Sequence, residues 1–176
     1  MTAPSSPPAP GPPPPVDAAW TRTAISEATR AWLAELPERA TISRCELVHG
    51  SPREPLWEYV TSTSVARDNL ALLEGPIGLH GHTHVPVAWV ADGSHVELVR
   101  GGRGSSLDLQ GRPALVNPGS VGQPRDGDPD AAYAILDPDA GRVSWHRVAY
   151  DITAVQEAMR AAGMPGSLRS RLSVGA

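Results

Sequence analysis

The sequence predicts a mixed α/β fold, and three features point to it. Two short apolar runs, Cys45 to Val48 and Ile77 to Leu79, flank a helical pattern from about Ser64 to Leu73, giving a strand–helix–strand crossover. From Val87 to Tyr150 the character is β, with Asp92-Gly93 set between alternating apolar runs as a hairpin turn. Apolar residues recur at helical spacing near residues 25–36 and again near 151–162, which supplies helices to cover a sheet.

In chain order, residues 1–15 hold eight prolines and no large apolar residue, so they read as a disordered, locally polyproline-II tail. Residues 16–176 read as one domain. Ile25, Ala28, Trp32, Leu33 and Leu36 mark the first helix, with Ser26 as its cap and Pro37 as its stop. Ala40 to Ile42 and Cys45 to Val48 read as two short strands around Ser43-Arg44. The second runs into His49-Gly50-Ser51-Pro52, where Gly50 would let something approach the backbone closely. Residues 53–63 are irregular, with a turn of helix around Pro55 to Tyr59. The helix up to Leu73 carries Ala66, Leu70 and Leu73 on one face and ends at Gly75-Pro76.

The stretch that organises the rest is Gly78-Leu79-His80-Gly81-His82-Thr83-His84-Val85-Pro86, which holds three of the six histidines. Read as the end of a buried strand, it places His82 and His84 on one face, with His80 in phase but further back. Neutral imidazole is a common metal ligand, and His-x-His flanked by glycine favours a metal over solvated side chains. His49 and this stretch both follow strands of the crossover, at the ends where open α/β sheets bind ligands. Beyond the hairpin, Gly101, Gly102 and Gly104 lack the Lys-Ser/Thr ending of a phosphate loop. Pro113 to Val116 enters the turn-rich stretch from Asn117 to Asp128, a shaped loop at a strand end. Strands from Ala131 to Leu136 and Arg142 to Tyr150, then a helix capped by Asp151, complete the chain.

Composition sets outer limits. The net charge of −4 with no basic run argues against a nucleic-acid surface. No apolar stretch is long enough for a membrane span, and the N-terminus does not resemble a secretory signal. The single cysteine, Cys45, sits in an apolar run and reads as a buried structural thiol in a reducing cytoplasm.

His49-Gly50, then Gly81-His82-Thr83-His84, then Asn117-Pro118-Gly119-Ser120 with Pro124-Arg125, resemble the second half of a calcineurin-like metallophosphoesterase, most closely its compact bacterial branch. The likeness runs from about Trp20 to Gly175 and includes the closing Gly-Met-Pro-Gly-Ser-Leu-Arg-Ser-Arg-Leu. It implies a four-layered α/β/β/α sandwich with two divalent metals (Mn, Zn or Fe) at the strand ends. It further implies that His49 and His82 share one ion and that His84 faces its neighbour. The substrate would be a phosphate ester, mono- or diester, with Asn117 and Arg125 on the rim that receives it. The family's Asp-x-His and Gly-Asn-His occur nowhere in the sequence, and its one Gly-Asp, Gly127-Asp128, lies in the late loop. The resemblance therefore implies a domain lacking its N-terminal half, with an open sheet edge, exposed apolar surface, at most one metal and impaired hydrolysis. No catalytic residue is assigned. The alternatives are a non-catalytic module holding one ion on His49, His82 and His84, and a remnant completed by a partner chain that supplies the missing half-domain.

Overall fold

The computed structural model describes residues 16–176, so the expected polyproline tail lies outside the described residues. Where one domain was expected from residue 16, contacts divide the chain into two bodies, Met1–Leu36 and Pro37–Ala176. The division falls where Pro37 stops the helical pattern. In the first body, helix α1 spans Val16–Ala24, an element the sequence reading did not anticipate. Helix α2 spans Glu27–Ala34, with the Ser26 side chain accepting from the Thr29 N–H as its cap.

The second body is built on two sheets. Strands β1 (Arg39–Ile42), β2 (Cys45–Val48), β3 (Ile77–Leu79), β4 (Val87–Asp92), β5 (His95–Arg100) and β7 (Ala114–Asn117) form a six-stranded sheet in the order β1-β2-β3-β7-β4-β5. The three middle pairings differ in kind. Strands β2, β3 and β7 are mutually parallel, with Leu47 opposite Leu79 and Leu79 opposite Val116. Strand β4 returns antiparallel to β7 and makes the expected hairpin with β5, with Gly93-Ser94 as its turn and Asp92 still paired with His95. The second sheet holds β6 (Ser106–Asp108), β9 (Arg142–Val148) and β8 (Ala131–Asp137), in that order.

Each face of the large sheet buries a separate core. On one side Cys45, Ile77, Ala88, Val90, Ala114 and Val116 pack against Val143 and Trp145 of the second sheet. On the other, Val87, Trp89 and Leu115 pack against Ala66 and Leu70 of helix α3 (Thr63–Leu70) and against Val60. Cys45 is thus a buried core thiol, and burial raises its pKa. Helix α4 (Ile152–Ala161), capped by Asp151, packs against α5 (Gly166–Ser170) and the short 3-10 turn Arg171–Ser173. Strand β8 is an edge of its sheet, and Tyr133 (39%), Ile135 (55%) and, on β9, Val148 (51%) stay exposed.

Trp145 ties the two sheets together. It is 2% exposed, and its indole N–H donates to the Asn117 carbonyl at 3.0 Å. Gly101, just after β5, lies against this ring: a Cβ there would come within 2.7 Å of two ring carbons. Gly101→Ala should therefore lower stability by about 1–3 kcal/mol, because overpacking a rigid aromatic site forces backbone or ring to shift. Urea unfolding with an unchanged m-value would check this, and an unchanged midpoint would show that the indole has room.

Candidate active site

The parallel trio β2, β3 and β7 ends at one edge, and every sequence-predicted site residue leaves from it. Two further backbone bonds carry the ladder past the strands: Gly81 N–H donates to His49 O at 2.9 Å, and His80 N–H donates to Val116 O at 3.0 Å. His49 and His82 are thereby brought together, with His49 Nε2 facing His82 Nδ1 at 2.9 Å and the ring centroids 4.7 Å apart. One ring donates and the other accepts.

The reason for this meeting differs from the one the sequence suggested. Strand β3 ends at Leu79, so His82 and His84 do not alternate along extended backbone. Both adopt left-handed conformations, with φ of 62° and 61°. Non-glycine residues hold this region at a cost of about 1–3 kcal/mol each, so the surroundings must fix the turn. Asn117 does so. Fully buried, it donates from Nδ2 to Gly81 O at 2.6 Å and to Thr83 Oγ1 at 3.0 Å, while its Oδ1 accepts from Gly119 N–H. Asn117, expected on a substrate-receiving rim, has its amide engaged with the histidine turn.

His84 is oriented separately. Its Nδ1 lies 2.6 Å from the Gln123 carbonyl, which makes Nδ1 the protonated nitrogen and leaves the Nε2 lone pair free. The Arg125 N–H donates to His84 O, so the same loop holds both ends of the residue. Burial lowers the pKa of both His82 and His84, and the Arg125 guanidinium lowers both further. Both imidazoles are therefore biased toward the neutral, metal-ligating form. His80 turns into the protein instead: it is 3% exposed, and burial lowers its pKa to about 4.

Arg125 acts electrostatically on both His82 and His84. Its Nη2 donates to Gln123 Oε1 at 3.1 Å, while its buried Nε has no hydrogen-bond partner among the described residues. Arg171, near the C-terminus, also acts on His84. Sequence reading passed over Arg171, and over Tyr59, whose ring stacks on His82 at 3.9 Å. An aromatic residue in an irregular stretch just after a histidine-bearing strand was the available signal for Tyr59.

The loop that follows His49 is held by Glu58. Its carboxylate accepts from Ser51 Oγ at 2.6 Å, from Asn69 Nδ2 at 2.8 Å and from Arg53 Nε at 3.1 Å. Gly50, read as a place for a ligand to approach, serves this loop instead: a Cβ there would sit 2.7 Å from Glu54 O.

His49 Nε2 and His82 Nδ1 face each other across a hydrogen bond, so an ion between them would have to displace the shared proton. His84 does not join them at a common point. Among the described residues no group of three His, Cys, Asp or Glu side chains converges closely enough to hold an ion. Imidazoles are ligand types that a divalent metal accepts, but those of His49, His82 and His84 do not close a site by themselves.

Comparison with known proteins decides the family. Residues 18–141 match the calcineurin-like phosphoesterase superfamily domain. The chain belongs to this superfamily. Its fold agrees with a crystal structure of a metallophosphoesterase from Sphaerobacter thermophilus at a TM-score of 0.86 and 42% identity, covering 90% of this chain and 66% of that one. An uncharacterized protein of Methanocaldococcus jannaschii is 32% identical over 161 residues, which is 89% of this chain and 63% of that protein. A hypothetical protein of Pyrococcus horikoshii, 17% identical, shares the fold at a TM-score of 0.65, covering 90% of this chain and 65% of that one. The chain thus spans about two thirds of the length of these relatives. Its superfamily is one of divalent-metal-dependent phosphoesterases, and its mixed α/β sheet is the metallophosphoesterase fold. Among the described residues no helix is long and apolar enough to cross a membrane.

The Glu58 network gives a pH-dependent prediction. Hydrogen bonding from Arg53, aided by Ser51 and Asn69, lowers the Glu58 pKa from 4.5 to about 2. A depressed carboxylate contributes stability above its unfolded pKa and loses it as pH falls through the folded one. Glu58→Gln should cost about 1–2 kcal/mol at neutral pH, since Arg53 is part-exposed and its charge-assisted bond is screened. The difference from wild type should stay constant above about pH 5 and shrink as pH falls from about 4.5 toward 2. Urea midpoints at several pH values would check it, and a difference that persists undiminished at low pH would contradict it.

Proposed function

We propose that this chain carries the histidine half of a divalent-metal phosphoesterase site, acting on phosphate mono- or diesters. The observation that carries this reading is the pair His49 Nε2 and His82 Nδ1 at 2.9 Å, with the free Nε2 of His84 on the same strand-end turn. His49 and His82 would hold one ion (Mn, Zn or Fe), and His84 would face a neighbouring position. A divalent ion in such a site supplies a lowered pKa for bound water and neutralises phosphoryl oxygens. The chain's own residues do the positioning. Burial and the Arg125 guanidinium bias His82 and His84 toward neutral donors, Asn117 holds their turn, and Gln123 fixes the His84 tautomer. Arg125, on the loop that holds His84, would offer the phosphate its guanidinium.

A second reading is favoured by specific observations. The sequence has no Asp-x-His and no Gly-Asn-His, so the family's carboxylate and further histidine ligands are not supplied by these motifs. The chain spans 63–66% of two relatives, and the β8 edge leaves Tyr133 and Ile135 exposed. Both fit a domain completed by a polypeptide that carries the missing motifs, with hydrolysis impaired until it is present. A reducing cytoplasmic setting suits the single buried thiol Cys45.

Calorimetric titration should find at most one Mn²⁺ or Zn²⁺ per chain, weakened about tenfold or more by His82→Ala. Hydrolysis of p-nitrophenyl phosphate by this chain should be far below that of a full-length relative. Adding a polypeptide bearing Asp-x-His, Gly-Asp and Gly-Asn-His, fused or in trans, should raise it, and His84→Ala should abolish the gain. Strong hydrolysis by this chain alone, indifferent to chelator, would overturn the reading.

A further inference from the structure

The loop from Asn117 to Asp130 holds His84, and the second sheet in turn holds that loop. Strand β9 buries Val143, Trp145 and Arg147 in alternation. Trp145 grips the start of the loop at the Asn117 carbonyl, and Arg147, two residues on, grips its end. The Arg147 side chain is 2% exposed. Its Nη1 donates to Asp130 O at 2.8 Å and to Asp128 O at 3.2 Å, and its Nη2 donates to Asp126 Oδ2. Asp126 directly follows Arg125, whose N–H donates to His84 O at 3.2 Å. On the same loop, the Gln123 carbonyl lies 2.6 Å from His84 Nδ1. Of two consecutive residues, one holds the histidine and the next is held by the arginine.

Stability alone does not require a guanidinium at this place. Burying a charge is costly, and a buried ion pair can often be replaced by apolar side chains of similar volume without loss of stability. Apolar packing cannot hold a carbonyl at a set point, whereas the flat fork of an arginine reaches two carbonyls and a carboxylate at once. We infer that Arg147 is a positioning residue for His84: by fixing residues 126–130 it keeps the Gln123 carbonyl and the Arg125 N–H where they set the orientation and tautomer of the imidazole. Arg103 supports it, pairing with Asp128 and Asp130 and donating to Arg147 O, so two arginines balance the three aspartates of this stretch. Resting on the proposed phosphoesterase reading, this role makes Arg147 a determinant of where His84 presents its Nε2 lone pair, although it would touch neither metal nor substrate.

The test reads the His84 tautomer in the full chain labelled with ¹⁵N-histidine, by long-range ¹H–¹⁵N correlation at about pH 8.5, where imidazoles are neutral. Chelator is present, so no ion competes for the ring nitrogens. Wild type should carry the His84 proton on Nδ1. Arg147→Met keeps much of the apolar stem and removes the fork. It should lower the ratio of the Nδ1–H to the Nε2–H form about fivefold, the factor that one net hydrogen bond supplies, and leave His95 on β5 unchanged. Arg147→Lys still brings a charge to Asp126 and should fall between the two. If Arg147→Met fails to fold, Asp126→Asn decides, because it keeps the shape of a side chain that is 18% exposed, and a smaller shift in the same direction is expected. Leu70→Ala opens a cavity in the other core, and it should lower the urea midpoint while leaving the His84 tautomer in place. An unchanged tautomer in the folded loop variants overturns the role, and so does an equal shift in Leu70→Ala. A shift confined to the loop variants, alongside phosphate-ester hydrolysis indifferent to chelator, would keep the positioning role and remove the phosphoesterase reading. Metal-dependent hydrolysis with no tautomer shift would do the reverse.

Discussion

The structure depends on the in-register pairing of three parallel strands. Because Leu47, Leu79 and Val116 stand opposite one another on β2, β3 and β7, the chain leaves all three strands at the same edge. Parallel strands must be joined by crossovers, so segments distant in sequence arrive together at that edge. A slip of one residue in β3 would turn Ile77 away from the inter-sheet core, where it now packs with Cys45 and Val116. The apolar packing that stabilises the sheet thus also fixes where the histidines emerge. Stability and site geometry share one constraint.

Beyond the strand ends, control passes from packing to hydrogen bonds. The turn from Gly81 to His84 holds two left-handed residues that neither propensity nor burial favours. Asn117 bridges Gly81 and Thr83, while Gln123 and Arg125 grip His84 from the late loop. Trp145 in turn donates to the Asn117 carbonyl from the second sheet. These bonds reach from the turn to the late loop and to the second sheet, and so link the turn to both sheets.

Most of the fold was legible because period and punctuation agreed. Asp92-Gly93 between alternating runs gave the hairpin, and Ser26 and Asp151 cap their helices as their residue types suggest. Helix α1 was missed because Val16 to Ala24 carries no apolar stripe strong enough to stand out after a proline run. The site was legible in its members but less so in its geometry. Strand alternation put His82 and His84 on one face, whereas the strand stops at Leu79 and two left-handed turns direct the rings. Those turns depend on Asn117, more than thirty residues away, and no local pattern encodes such a contact. Gly50 misled for the same reason: its close neighbour is Glu54 O, in its own loop.

The electrostatics of the site carry the half-site reading one step further. The permanently charged groups that act on this turn are Arg125, on both His82 and His84, and Arg171, on His84. Burial opposes a positive charge on the same two rings. Such a field attracts a phosphate, but it repels the divalent ion that would activate water against that phosphate. Neutral imidazoles contribute lone pairs and no countercharge, so they cannot offset this repulsion alone. Carboxylate ligands would reverse the balance, each bringing one negative charge to the metal while leaving Arg125 free for the substrate. Among the described residues, the arginine charges that act on the histidine turn therefore favour an anion over a cation there.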